Sequence, residues 1–363
     1  MTSKRPPLDP VLRAQCTRHL SYHGASDARR WVERLAQSPE LGLALDNYSE
    51  GPAIAQLERE TAALLGKEAA LFFHKGVVAQ QVALLVHARA RNRRVVALHP
   101  KSHLAVDESD AVDRLAGLLS LRLGDDNAPF TAADLERVAE PLAAVTVEIP
   151  LRRAAFTGTP WPELEAIAAW ARVHDTPFHL DGARVWEIQP WYGRTLAEIS
   201  SVADTIYVSF YKGLGGMAGA ALLGPADFIA ETRLWRRRQG GTIYHLTAEA
   251  VSALVGLHDQ LPVVADTVAW ARAFAAELPS FIAVQPGVPH ANQFLAYAAG
   301  DADAVNERLL ALIEERRIGF PAWRAAQEPG RITTEFAVSR AALKLDPAKM
   351  AALVATAIAP TAG

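Results

Sequence analysis

Two kinds of hydrophobic run alternate along the first two thirds of the chain. Short continuous apolar runs, dense in β-branched and aromatic residues, read as buried strands, and longer stretches with apolar positions every three or four residues read as amphipathic helices. Strands are expected at 69–73, 95–98, 119–123, 144–148, 178–180 and 205–210. Helices are expected at 54–65 with Gly66 as C-cap, from Gly76 to about residue 90, around 134–142, at 161–173 and at 196–200. This alternation predicts a mostly parallel sheet with helices on both faces. From about Pro262 the order changes to a helix at 265–278, strands near 282 and 294–298, a helix at 304–315, a strand at 332–338 and a last helix. The expected organisation is an N-terminal arm over 1–50, a large α/β domain over 51–260 and a smaller α/β domain over 261–363.

The strand at 205–210 delivers Lys212 into a glycine cluster, Gly213, Gly215 and Gly216. A lysine at such a place reads either as an exposed loop residue beside flexible turns or as an amine presented to a carbonyl, forming a Schiff base. Upstream, the run 178–180 ends at Asp181-Gly182, with Arg184 two residues further on. Alone, Asp-Gly is a turn signal. Taken together, a strand that delivers a carboxylate and another that delivers a lysine suit pyridoxal phosphate, whose ring nitrogen and aldehyde need those two partners.

Composition narrows the class further. A formal net charge of −3 lacks the basic excess of a nucleic-acid binder. The single cysteine, Cys16, excludes an internal disulfide and a cysteine-rich metal site and fits a reducing cytosol. No apolar run approaches the roughly 18 residues of a membrane span, and no secretory signal opens the chain. A soluble, cytoplasmic protein is expected, with neither nucleic acid nor membrane as partner.

The segments HLDGARVWE and SFYKGLGG resemble the signature strands of the threonine aldolase group, the β-eliminating-lyase-like branch of fold-type-I pyridoxal-phosphate enzymes. The resemblance runs from about residue 46 to 340. It implies that Lys212 holds the cofactor aldehyde, that Asp181 pairs with the ring nitrogen and that His103 stacks on the ring and handles protons. It further implies that Arg331 and Arg184 hold the substrate carboxylate and that Ser209 is aimed at the phosphate. The phosphate itself is expected at the helix start after the strand 69–73, on backbone amides near Gly76 and Val77 with help from Lys75. The substrate would be a β-hydroxy-α-amino acid, cleaved to glycine and an aldehyde. The partner would be the chain itself, in a homodimer or homotetramer reached by a segment matching Tyr48, Glu50 and Pro52.

Several positions depart from that pattern. The loop before the first long helix keeps only Gly76 of the family's S-G-T, and Ser21 and His23 stand where R-S-D-T is usual. Where the family reads E-N-T-H-N, Glu148 is retained but Leu151 and Arg152 occupy the histidine and asparagine places, and Glu335 replaces a histidine near Arg331. The lost histidine keeps β-elimination from cysteine or serine open as an alternative reaction, and a non-catalytic relative of the same fold as a further one. A nicotinamide-binding protein is disfavoured, since no G-x-G-x-x-G follows the first strand. Arg236, Arg237 and Arg238 read mostly as a solvated helix face.

Overall fold

The computed structural model describes residues 14–23, 27–125 and 127–359. The chain divides into two compact units, one of residues 33–261 and one joining residues up to 32 with those from 262 on. The arm expected over 1–50 is therefore shared between the two.

The larger unit is built on a sheet of seven strands among the described residues: β1 (Ala69–Phe73), β2 (Val95–Leu98), β3 (Leu119–Arg122), β4 (Leu142–Glu148), β5 (Phe178–Gly182), β6 (Thr205–Ser209) and β7 (Ala220–Gly224). Their order is β1-β7-β6-β5-β4-β2-β3. The pairs from β6 to β3 are all parallel, and β7 runs antiparallel to both its neighbours. Strand β7 was not expected. Gly215 and Gly219, at φ 63° and 99°, turn the chain back after β6, a conformation that costs glycine little.

Helices α1 (Pro52–Leu65), α2 (Gly76–Arg91), α3 (Trp161–Val173), α4 (Val185–Tyr192), α5 (Ala226–Arg238) and α6 (Thr247–Asp259) flank this sheet. Successive strand residues face opposite sides. Phe72, Val145, Leu180, Ile206 and Leu223 join Leu57, Leu164 and Leu254 of α1, α3 and α6 in one core. Leu71, Phe73 and Leu222 join Val82 of α2 and Phe228 of α5 in another. The face toward α2 also carries two polar rows: Thr146, His179 and Thr205 lie side by side across β4, β5 and β6, and Glu148, Asp181 and Tyr207 lie one step nearer the strand ends.

Two boundaries differ from expectation. The helix expected around 134–142 is a single turn, Ala132–Leu135, opened by a Thr131–Asp134 capping box. Pro141 lacks an N–H and disfavours helical geometry at Glu140, so Leu142 begins β4 instead. Strand β5 does not break at Asp181-Gly182, because both residues stay paired with β6.

The smaller unit has an antiparallel sheet of β8 (Ile282–Gln285), β9 (Gln293–Ala299), β10 (Arg324–Ala325) and β11 (Arg331–Ala337), in the order β10-β11-β9-β8. Its core packs Phe274, Phe294 and Phe336 with apolar residues of α7 (Val264–Ala276), α8 (Ala302–Arg316) and α9 (Pro347–Ile358).

Candidate active site

The carboxyl ends of the parallel strands in the larger unit converge on one cluster, where ligands of such sheets bind. Lys212 lies in the Phe210–Gly219 loop, which is closed by Phe210 N–H to Gly219 O (3.1 Å) and Gly216 N–H to Phe210 O (2.8 Å). Glu187 of α4 fixes the loop further: its Oε1 accepts the Gly213 N–H at 2.8 Å. A Cβ at Gly213 would overlap that carboxylate and lie 2.7 Å from Glu187 Cγ, so glycine is required by close approach. Burial, reinforced by the Arg184 guanidinium, brings the Lys212 ammonium down to about 8, against the opposing pull of Asp181, Glu148 and Glu187.

Asp181 is 3% exposed. Its Oδ1 accepts the Ala183 N–H at 3.1 Å. Burial pushes its carboxyl up, while Lys212, the Ala183 amide and His103 pull it back. His103 begins the one-turn helix His103–Val106 after β2. Its backbone N–H donates to Glu148 Oε2 at 2.7 Å, and its Nδ1 lies 3.0 Å from Glu108 Oε1. The bond to Glu108 raises its pKa above the ordinary imidazole value, against burial. Glu148 Oε1 accepts the Arg152 N–H at 3.1 Å, so one buried carboxylate ties together the loops after β2 and β4. Burial, then the neighbouring Asp181, raises its carboxyl. Arg153 Nε donates to Asp107 at 2.9 Å and braces the same two loops.

Arg184 is buried with its Cζ 5.2 Å from the centre of the Phe156 ring. Three buried polar atoms around the cluster have no hydrogen-bond partner: Arg184 Nε, Glu187 Oε2 and Glu108 Oε2. Orphaned groups of this kind cost about 1–3 kcal/mol each unless a ligand or solvent meets them. At the start of α2 no side chain caps the helix, and Lys75, at the N-cap position, is exposed while Val77 is half-buried. A Cβ at Gly76 would overlap the Tyr207 hydroxyl.

Lys212, Asp181, His103 and Arg184 are thus brought together, with Gly76 beside them through Tyr207. Ser209 is fully buried, and its hydroxyl donates to Ala183 O at 2.8 Å. Arg331 belongs to the smaller unit, where its Nη1 bonds Glu328 at 2.7 Å and its Cζ lies 5.3 Å from the Tyr297 ring centre. Ser21 is a structural residue there, exchanging hydrogen bonds with the Ala337 backbone. Leu151, in place of a histidine, is buried. Glu187 and Tyr207 were missed; the signal for Glu187 was its place inside HLDGARVWE.

A family model described as beta-eliminating lyase matches residues 35–301. A structure from Listeria monocytogenes, described as an L-allo-threonine aldolase, is 32% identical with TM-score 0.90, covering 96% of this chain and 97% of its own. One from Exiguobacterium sp. 255-15, described as an aromatic amino acid beta-eliminating lyase/threonine aldolase, is 31% identical with TM-score 0.89, covering 96% and 99%. The low specificity L-threonine aldolase of Escherichia coli is 27% identical over 233 residues, 62% of this chain and 69% of its own. Curated relatives align over between 49% and 69% of their own lengths. The chain belongs to the beta-eliminating lyase family, in its threonine aldolase group, and has the fold-type-I architecture of pyridoxal-phosphate enzymes.

That family implies pyridoxal phosphate, and the residues present fit it. A lysine with a lowered pKa, a buried aspartate, an orphaned arginine nitrogen and an uncapped helix start surround one cluster.

Proposed function

We propose that the protein is a pyridoxal-phosphate-dependent lyase that cleaves a β-hydroxy-α-amino acid such as threonine to glycine and an aldehyde. The observation that carries this is the convergence of Lys212, Asp181 and His103 at the carboxyl ends of β6, β5 and β2, in a chain of the threonine aldolase group. Bound pyridoxal phosphate supplies an aldehyde for the substrate amine and an electron sink for the breaking Cα bond. Lys212, with a pKa near 8, keeps part of its population neutral at physiological pH and can act as nucleophile and as base. Asp181 would hold the cofactor's ring nitrogen protonated with a desolvated carboxylate. In the tautomer whose Nδ1–H donates to Glu108, neutral His103 would present its Nε2 lone pair as the base for a substrate hydroxyl proton. Arg184 Nε is available to an acidic oxygen of the substrate or cofactor. For Arg331 the role of substrate-carboxylate anchor rests on the resemblance alone. Self-association into a dimer or tetramer rests on the same ground.

Buried Leu151 favours a second reading, β-elimination from serine or cysteine, because the histidine that would face a substrate hydroxyl is absent from that place. Incubation of the cofactor-loaded protein with threonine, serine and cysteine separates the two. Glycine with acetaldehyde from threonine supports aldol cleavage. Pyruvate from serine or cysteine, without glycine from threonine, would overturn it in favour of elimination.

A further inference from the structure

We infer that Glu187 is a positioning residue for the reacting amine: its carboxylate holds the Gly213 N–H and so sets where the neighbouring Lys212 presents its side chain. This deepens the function proposed above and rests on Lys212 being the amine that reacts. Glu187 lies in the first turn of α4 and is completely buried. The residue before it, Trp186, donates from Nε1 to Ser209 O at 2.9 Å and ties that turn to the end of β6. Glu187 Oε1 then takes the Gly213 N–H, four residues beyond that strand end, at 2.8 Å. On its other side, Lys212 O accepts the Gly215 N–H at 3.0 Å. The Lys212 backbone is thus bracketed by one bond within its own loop and one from α4.

A buried carboxylate is a costly acceptor for a loop amide unless both its oxygens are met, and Glu187 Oε2 has no hydrogen-bond partner. Stability alone would be served as well by a hydroxyl or a backbone carbonyl at that place. A carboxylate adds what a neutral acceptor would not, a negative charge beside the Lys212 ammonium, and the two favour each other's charged forms. Glu187 therefore acts through Lys212, holding its loop by one oxygen and biasing its amine by charge.

The test follows labelling of Lys212 by acetic anhydride against pH in the full chain freed of cofactor, read by peptide mass spectrometry. A protonated amine does not react, so the midpoint reports the amine, expected at about 8 in the wild-type protein. In Glu187→Gln the amide oxygen still accepts the Gly213 N–H while the charge is gone, so the midpoint should fall or stay. In Glu187→Met the acceptor is lost, the loop is released and the amine gains solvent. The midpoint should then rise by about one pH unit or more, toward an ordinary lysine. Lys67, whose Nζ donates to Ala203 O at 2.6 Å, reports the rest of the fold and should label as in the wild type. If Lys67 labelling changes in Glu187→Met, Glu187→Asp, which withdraws the acceptor by one methylene, is read by the same criteria. A midpoint that does not rise when the acceptor is lost, or that rises as much in Glu187→Gln, would overturn the inference. Either result leaves the cofactor reading intact, because that reading fails separately, if the wild-type protein shows no visible band with pyridoxal phosphate.

Discussion

Three polar side chains, Glu148, Asp181 and Tyr207, stand in one register row of the sheet, beside a second polar row of Thr146, His179 and Thr205. Burying two carboxylates side by side is costly unless each has work and partners. Glu148 has two backbone N–H groups to hold, and Asp181 has Lys212 and His103 nearby. The Glu108 contact stabilises protonated His103, so a reaction needing neutral His103 gains activity as pH rises through that raised pKa. In Glu108→Gln the rising limb of kcat/KM against pH should move to lower pH; a limb that stays in place would remove His103 from proton transfer. Gly213→Ala should force the Lys212 loop away from Glu187, since its Cβ would overlap the fully buried Glu187 carboxylate. A displacement of that kind commonly costs about a hundredfold in rate, so kcat should fall by roughly that factor with little change in Tm. Lys212, Asp181 and His103 were legible because each stands at or beyond the carboxyl end of a strand and carries chemistry that an apolar core would not tolerate idle. Tyr207 was not, because an aromatic residue inside a β-run reads as core. Glu187 was not either, because nothing in the chain's periodicity says that a helix turns that side chain toward a loop 26 residues away.

Strand β1 pairs only with β7, so at Phe72 its outer backbone groups need other partners. Glu58 Oε1 accepts the Phe72 N–H at 2.7 Å, and Arg236 Nη1 donates to Phe72 O at 2.6 Å. Arg236 is thus buried and structural, while Arg237 and Arg238 are exposed, in line with a face expected to be mostly solvated. Replacing Arg236 by Met should cost about 1–3 kcal/mol, the penalty for an orphaned buried carbonyl, measurable by urea unfolding. Behind the site, α2 is joined to the sheet through Gln80, His179, Thr205 and His87, with bonds of 2.7, 2.8 and 2.9 Å. Burial drives His179 down to about 3 and His87 well below its ordinary value. Both stay neutral in the folded state while the unfolded chain protonates near pH 6.5. Stability should therefore fall as pH drops below about 6.5, by up to roughly 1.4 kcal/mol per pH unit for each histidine. A flat stability between pH 7.5 and 5.5 would contradict the neutral ladder. Strand and helix order was legible from hydrophobic period. The misread segments were 134–142, where a proline overrides helical spacing, and β7, whose antiparallel return depends on glycine conformations that apolar pattern does not reveal.

The chain forms two units with separate cores. The larger unit holds Lys212, Asp181, His103 and Arg184, and the resemblance proposes Arg331 of the smaller unit for the substrate carboxylate. A Lys at 331 keeps the charge but loses the bidentate fork. Arg331→Lys should raise KM for the amino acid by about tenfold or more and leave the affinity for pyridoxal phosphate unchanged. Equal KM in the two proteins would take Arg331 out of the site. Family membership was legible in two short segments, whereas the choice of bond broken depends on departures such as Leu151 whose consequences no motif encodes. The most direct test of the central claim is to reduce the cofactor-loaded protein with borohydride and locate the pyridoxyl phosphate adduct by peptide mass spectrometry. The adduct should lie on Lys212 alone and vanish in Lys212→Ala. An adduct on another lysine, or none, would contradict the site described.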